Sequence, residues 1–302
     1  MGGIREPMEC RNCLITDAFP TVRILKDGLC NLCHEQESHP LDKKKLAQQT
    51  FDYLEGLVQR EEPAVLAISG GKDSSASLVW LRNNFPNLRL MAVTVDNGFC
   101  CEAALRNVAR LVSQIRVSWE IIPVRLDDAS LRAIDRYDNF CVPCAHHYMR
   151  ILGQYAAGRR ISCIIVGREW LYAHDVDTNQ VIMYDPVHDS FPYTGVKGIT
   201  MVRLLAGLSM SLAERYELLR DTPWQAPRIS ANTSCLLEGY VIQRYMDHHG
   251  YHPHVLPISE QVRRGMMTYE EALASLTRPK IAPTVESLVK ARLRPYGAQL
   301  ER

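Results

Sequence analysis

The chain has 302 residues, 46% of them apolar, and a formal net charge of +1. That is enough for one large α/β domain with small appendages and a sizeable core, and it excludes a disordered chain. It also argues against a dedicated nucleic-acid binder, which carries a basic excess or stripe. The first eleven residues are polar and charged, with no apolar signal-peptide segment. No stretch reaches the roughly 18 apolar residues of a membrane helix, so the expected protein is cytoplasmic and makes no membrane contact. Ten cysteines in such a chain point to metal or redox chemistry rather than to a disulfide framework.

Residues 1–40 carry two cysteine pairs, Cys10-x2-Cys13 and Cys30-x2-Cys33. Two such pairs close a tetrahedral four-sulfur site in a segment too small to fold alone. The expectation is a structural Zn²⁺ knuckle, with rubredoxin-like iron as the alternative and His34 as a bystander.

A helix is expected over residues 42–59, where Leu46, Phe51, Leu54, Leu57 and Val58 recur at helical spacing. The apolar run 64–68 reads as a buried parallel strand and ends in Ser-Gly-Gly before a helix over 74–83. The pattern then repeats. Strand 90–95 leads to Asp96-Asn97-Gly98 and helix 102–115. Strand 119–124 follows, then a helix containing residues 146–156, then strand 161–166 ending at Gly167. Strands alternating with helices predict a doubly wound parallel sheet, whose ligands bind beyond the carboxyl ends of the strands. Ser69, Asp96 and Gly167 all fall at such ends. Residues 168–200, with Pro186, Pro192, Gly195 and Gly198, read as an irregular, substrate-facing loop. Residues 211–220 and 235–249 look helical. Thr268 with Glu271 is a capping-box pattern opening a short helix, and the last 25 residues show no clear core stripe.

Ser69-Gly70-Gly71-Lys72-Asp73-Ser74-Ser75 sits between the first strand and its helix. The glycines permit tight turning and close backbone approach to an anion, and exposed amides at a helix N-terminus bind phosphate oxygens. The serines add hydroxyls, Lys72 adds a point charge, and Asp73 can hold Mg²⁺ or orient a neighbour. This string resembles the SGGxDS signature of the PP-loop ATP pyrophosphatase family, over roughly residues 60–245. The resemblance implies a PP-loop α/β fold in which ATP is cleaved between its α and β phosphates. AMP is attached to a substrate oxygen, pyrophosphate leaves, and a nucleophile displaces AMP. It also implies adenosine near Val95 and Asp96, and a further contact at Gly167. Where many members continue that glycine as His-Asn-x-x-Asp-Asp, this chain reads Arg168-Glu169-Trp170, with His174 and Asp175 further on.

Cys141-Val142-Pro143-Cys144 precedes a helix, and Cys235 follows much later. The close pair suits a disulfide, a metal or a cluster, and a helix start lowers a thiol's pKa. Three cysteines are one short of the usual set for an iron–sulfur cluster, which leaves one iron open. The spacing is similar to that of the iron–sulfur 2-thiocytidine and 2-thiouridine tRNA thiolases. That resemblance implies a [4Fe-4S] cluster on Cys141, Cys144 and Cys235, with hydrosulfide on the fourth iron as sulfur donor. A persulfide on one of these cysteines, resolved by another, is the alternative route. Cys163 reads as strand core, and Cys100-Cys101 as a surface loop or a substrate-side feature.

Both ends resemble a second PP-loop group, the N-acetyl sugar amidotransferases. The resemblance is carried by Asp27-Gly28-Leu29-Cys30-Asn31-Leu32-Cys33 and by Val262-Arg263-Arg264-Gly265-Met266-Met267-Thr268-Tyr269-Glu270-Glu271-Ala272-Leu273. The leading expectation is an ATP-dependent sulfurtransferase, the rival an ATP-dependent amidotransferase acting on a sugar, and the third reading a nucleotide-binding sensor without turnover. The expected division is a knuckle at 1–40, a PP-loop domain at 41–250 and a helical tail at 251–302. Expected partners are a sulfur donor protein or sulfide, and a small-molecule acceptor favoured slightly over tRNA: a nucleobase, nucleotide, sugar or natural-product precursor. His146, His147, His174, Arg168 and Glu169 are candidate acceptor contacts.

Overall fold

The apolar runs form strands, and those at Ala64–Ala67 and Cys163–Val166 are buried on both faces. In the computed structural model, which describes residues 7–175, 178–189, 196–227 and 234–297, four of them pair in parallel. These are β1 (Ala64–Ala67), β2 (Leu90–Asp96), β3 (Ser118–Pro123) and β4 (Cys163–Val166). Residues 168–200 are not irregular as expected. β5 (Tyr172–Asp175) and β6 (Gln180–Met183) make an antiparallel hairpin. β7 (Val187–Asp189) pairs antiparallel with β8 (Thr200–Arg203), and β8 adds in parallel to β4. The sheet order is β3-β2-β1-β4-β8-β7. These added strands span three or four residues each, too short for an alternating pattern to declare itself. Pro192 and Gly195 lie outside the described residues.

Alternate strand residues feed two separate cores. Leu66, Ala92, Ile165 and Val202 pack with Leu54 and Leu57 of α2 (Lys43–Gln59), Leu78 and Leu81 of α3 (Lys72–Asn84) and Leu111 of α4 (Glu102–Ile115). Val65, Val93, Ile164 and Met201 face the other way, onto Met149, Leu152 and Ala156 of α6 (Cys141–Gly158). A sheet covered on both faces in this way is the doubly wound α/β architecture. Its strand order reverses between β1 and β4, the switch point where such sheets open a crevice at their carboxyl ends.

The remaining helices are α1 (Asn31–Ser38), α5 (Asp128–Asp135), α7 (Leu204–Leu208), α8 (Leu212–Leu219), α9 (Glu238–His249), α10 (Val255–Arg263), α11 (Tyr269–Leu276) and α12 (Pro283–Leu293). The capping box at α11 forms as expected: Glu271 N donates to Thr268 Oγ1 at 3.1 Å, and Thr268 N donates to Glu271 Oε2 at 2.8 Å. The tail departs from expectation, because α12 buries Val289 and Leu293 completely against Phe99, Cys144, Leu236 and Leu237. Val285 packs beside them on the same cluster, so α12 docks through three positions spaced four apart, a helical stripe. Among the described residues no helix is long and apolar enough to cross a membrane.

Replacing Leu293 by Ala should lower stability by about 2–4 kcal/mol, the usual result of emptying a buried leucine site. Urea unfolding measures it, and a change below about 0.5 kcal/mol would show that α12 does not contribute to the core.

Candidate functional site

Ser69 to Ser74 turn from β1 into α3, and two contacts show why the turn is built of glycine. Gly70 has φ +78°, and a Cβ there would lie 2.0 Å from the Ala104 carbonyl oxygen of α4. Both its conformation and the neighbouring backbone therefore demand glycine. The Gly70 carbonyl accepts from Asn107 Nδ2 at 3.2 Å and from Trp224 Nε1 at 3.1 Å, which fixes the orientation of that peptide. Gly167, just after β4, lies so close that a Cβ would sit 2.9 Å from Ser74 N. Ser74 Oγ closes the turn by accepting from Ser69 N at 3.1 Å. Gly71 is the N-cap of α3 and receives no side-chain cap, so the first amides of the helix lack an internal acceptor, as an anion site requires.

The charges at the loop form a network the sequence did not announce. Asp73 Oδ2 accepts from Lys72 Nζ at 2.9 Å and Asp73 Oδ1 from Arg215 Nη1 at 2.7 Å. Arg215 is 0% exposed. It reaches from α8 and is braced by Ser211 O at 3.1 Å and Gln261 Oε1 at 2.8 Å. Burial raises the Asp73 pKa, but Lys72 and Arg215 outweigh it and hold the carboxyl below its ordinary value. Glu169 has no such surplus of cations: burial first, and Asp73 second, push it up to about 7. Of the candidate acceptor contacts, Glu169 is the one whose charge couples to Lys72 and Asp73. His147 Nε2 instead bonds Arg125 O at 3.0 Å, and His174 Nε2 bonds Asn179 within the β5–β6 hairpin. His146 is lowered by burial and by Arg168. Ser75 is buried in α3, and Val95 and Asp96 close β2. Asp96 Oδ1 accepts from Gly98 N at 2.8 Å.

Residues 234–236 run antiparallel to 99–101: Cys101 N donates to Ser234 O and Leu236 N to Phe99 O, both at 2.8 Å. That pairing carries Cys235 from a distant segment to the loop. The Ser234 hydroxyl lies 3.9 Å from where a Gly71 Cβ would stand. Cys141 and Cys144 lie inside the first turn of α6 rather than before it, and all three cysteines join one cluster with Phe99, Phe140, Tyr148 and Leu236. Asn97 Nδ2 approaches Cys144 Sγ at 3.8 Å. The expectation of lowered thiol pKa values is reversed. Burial raises Cys144 to about 12. Burial, with Glu238 next in weight, raises Cys141 well above its ordinary value. Burial, with Cys144 next, does the same for Cys235. A thiolate here needs a cation beside it, since desolvation outweighs a helix terminus. Cys163 is strand core, as expected. Cys101 caps α4 through its sulfur, and Cys100 stands directly opposite Cys235.

The four amino-terminal sulfurs converge from the Cys10–Cys13 turn and from the start of α1, and all lie within 4.8 Å of one another. Cys10 and Cys33 sulfurs are 3.7 Å apart, as are those of Cys13 and Cys30. Four sulfurs at zinc's bond length on a tetrahedron stand roughly 3.8 Å apart, so the set fits a single metal ion. Donors surround them as thiolates require: Cys30 N to Cys10 Sγ at 3.2 Å, Asn12 Nδ2 to Cys33 Sγ at 3.4 Å and Arg263 Nη1 to Cys13 Sγ at 3.3 Å.

No family model matches the chain. It is 26% identical over 290 residues to an uncharacterized protein of Methanocaldococcus jannaschii, spanning 94% of this chain and 99% of that one. Similar solved structures include the NH3-dependent NAD synthetase of Campylobacter jejuni (15% identity, TM-score 0.37, 87% of this chain and 98% of that one). A second is the U34-tRNA thiolase NcsA of Methanococcus maripaludis with its [4Fe-4S] cluster (16%, 0.42, 86% and 86%). A third is the NMN synthetase of Francisella tularensis (15%, 0.42, 77% and 96%).

Two outcomes are expected. Cys30→Ser should lose one tightly held metal ion per chain by elemental analysis, and full retention would remove the four-sulfur assignment. The Glu169 carboxyl, neutral in acid and charged above about pH 7, should add negative charge beside the loop as pH rises from 6 to 8. Wild-type affinity for metal-free pyrophosphate should then fall several-fold relative to Glu169→Gln over that interval. A constant ratio of the two affinities, read by calorimetry at each pH, would mean that Glu169 does not face the anion.

Proposed function

We propose that this protein is an ATP-dependent sulfurtransferase: it adenylates an oxygen-bearing carbon of its acceptor with release of pyrophosphate, and sulfur then replaces the adenylated oxygen. The observation that carries this reading is the approach of the Cys235 segment to the Gly71 end of the glycine loop. That approach brings an anion-binding turn beside a hydrophobic cluster that contains three cysteines.

Each part of the chain has a role in that reaction. The uncapped amides at Gly71 and the start of α3 hold the pyrophosphate oxygens, with Ser69, Ser74 and Ser75 beside them. Lys72 offsets charge on the leaving pyrophosphate. Asp73, kept ionised by Arg215 and Lys72, is the residue that would hold Mg²⁺, which would offset charge on the phosphates. Val95, Asp96 and Gly167 border the nucleoside side. The apolar wall of Phe99, Phe140, Leu236 and α12 excludes water that would otherwise hydrolyse the adenylate.

Cys141, Cys144 and Cys235 are the residues that would hold a [4Fe-4S] cluster. The donor chemistry fits: three thiols in one cluster, with an amide N–H directed at Cys144, suit a soft, thiolate-bound group. When bound, the cluster supplies an open iron at which sulfide can wait near the acceptor carbon. The knuckle is a closed site and serves as a structural Zn²⁺ centre. A small-molecule acceptor suits the near-neutral chain better than tRNA does.

Turnover with acceptor and sulfide should yield AMP and pyrophosphate, and Asp73→Ala or Ser74→Ala should reduce the rate at least about tenfold, the loss of one strong contact to the transition state. ADP and phosphate as products would refute adenylation. Anaerobic preparations should contain iron and acid-labile sulfide, lost in Cys141→Ser, Cys144→Ser and Cys235→Ser. A colourless protein that releases pyrophosphate only with ammonia would replace sulfur transfer by amide transfer.

A further inference from the structure

Cys141 has a second set of neighbours that the three-cysteine reading does not use. Its sulfur, a carboxylate oxygen of Glu238 and a ring nitrogen of His254 lie within 4.8 Å of one another. His254 Nδ1 is 3.6 Å from Glu238 Oε1. The three side chains come from three different elements: Cys141 opens α6, Glu238 opens α9 and His254 is the N-cap of α10. No local spacing links them, so only the fold assembles the trio.

The His254–Glu238 separation, 3.6 Å, is that of two ligands to one ion, and the Cys141 sulfur lies within 4.8 Å of both. With bonds of about 2.0–2.3 Å, a tetrahedral ion sets its ligand atoms roughly 3.3–3.8 Å apart. The other Glu238 oxygen, Oε2, is buried and has no hydrogen-bond partner among the described residues, an arrangement that is costly unless something satisfies it. Burial and the Glu238 carboxylate both disfavour the Cys141 thiolate. A divalent cation inverts that relation, because it deprotonates a coordinated thiol and draws in the neighbouring carboxylate. One sulfur, one oxygen and one imidazole nitrogen suit zinc or ferrous iron better than the hard cations magnesium and calcium. Three protein ligands leave a fourth position open, whereas the four-sulfur knuckle is closed.

We infer that, in the chain without an assembled cluster, Cys141, Glu238 and His254 hold one divalent ion of the zinc or ferrous class, with its fourth coordination position open to a small ligand. The inference does not rest on the sulfur-transfer reading. Cys141 belongs to both donor sets, so the single ion and a cluster exclude each other. The single ion lies in the cluster that also holds Cys235, whose neighbour Ser234 stands beside Gly71.

The test is a cobalt and zinc titration of the full chain prepared without iron. Zinc analysis should give two ions per chain. Cobalt should add in two phases: a first with the intense near-ultraviolet charge-transfer absorption of four thiolates, and a second with the weaker absorption of one. His254→Ala and Glu238→Gln should each remove the second phase, or weaken it at least tenfold, and leave the first intact. Either variant reports folding through that retained first phase. A single ion per chain in the wild type, or a second ion unaffected by both substitutions, would overturn the inference. Neither result would bear on pyrophosphate release, so sulfur transfer and this site can fail separately.

Discussion

The loop between β1 and α3 exists because two glycines let three pieces of backbone touch. Gly70 meets the Ala104 carbonyl of α4, and Gly167 meets the backbone of Asp73 and Ser74 at the start of α3. A methyl group at either position would force the loop away from the switch point between β1 and β4. The rest of the site follows from that contact. It aims the uncapped start of α3 into the crevice, and with the Gly70 carbonyl gripped by Asn107 and Trp224 the peptide cannot rotate to offer its oxygen to an anion.

Charge is distributed around this loop by burial as much as by residue type. Two carboxylates lie beside each other: Asp73 is ionised because Arg215 and Lys72 hold both of its oxygens, while Glu169 is raised because burial and Asp73 act on it together. The thiols behave similarly. Cys141, Cys144 and Cys235 are all disfavoured as anions by burial, so a neighbouring cation would be needed to favour their thiolates. A buried cluster of soft donors that cannot ionise alone is suited to metal, because the ion itself supplies the charge that makes the ligands.

The two ends of the chain are structurally coupled to each other and to this core. Arg263 donates to the Cys13 sulfur, and α10 packs Val255 and Leu256 among Ile15, Phe19 and Leu32 of the knuckle. The adjacent Arg264 is fully buried with Glu260 at 3.0 Å and donates to the Ala206 carbonyl. Glu260 in turn accepts the Leu171 and Tyr172 amides at 2.8 and 2.9 Å. Consecutive arginines thus hold the knuckle on one side and the segment following β4 on the other. A buried pair of this kind contributes registry more than net stability.

The sequence by itself determined whatever depends on near neighbours. Ser69 to Ser75 declare a phosphate turn because glycines, hydroxyls and a helix start act within seven positions, and the paired cysteines at 10, 13, 30 and 33 declare a metal because each pair is locally close. β1, β2 and β4 were legible for the same reason: parallel strands buried on both faces are continuous apolar runs. The short strands β5 to β8 were not, since three or four residues carry no period. Only the tertiary structure decided that Arg215 anchors Asp73, that Glu169 lies close enough to be raised by it, and that Glu238 and His254 flank Cys141. These groups are separated by tens of residues in the chain. Their ionisation depends on burial and on partners across the fold, and residue type and spacing specify neither.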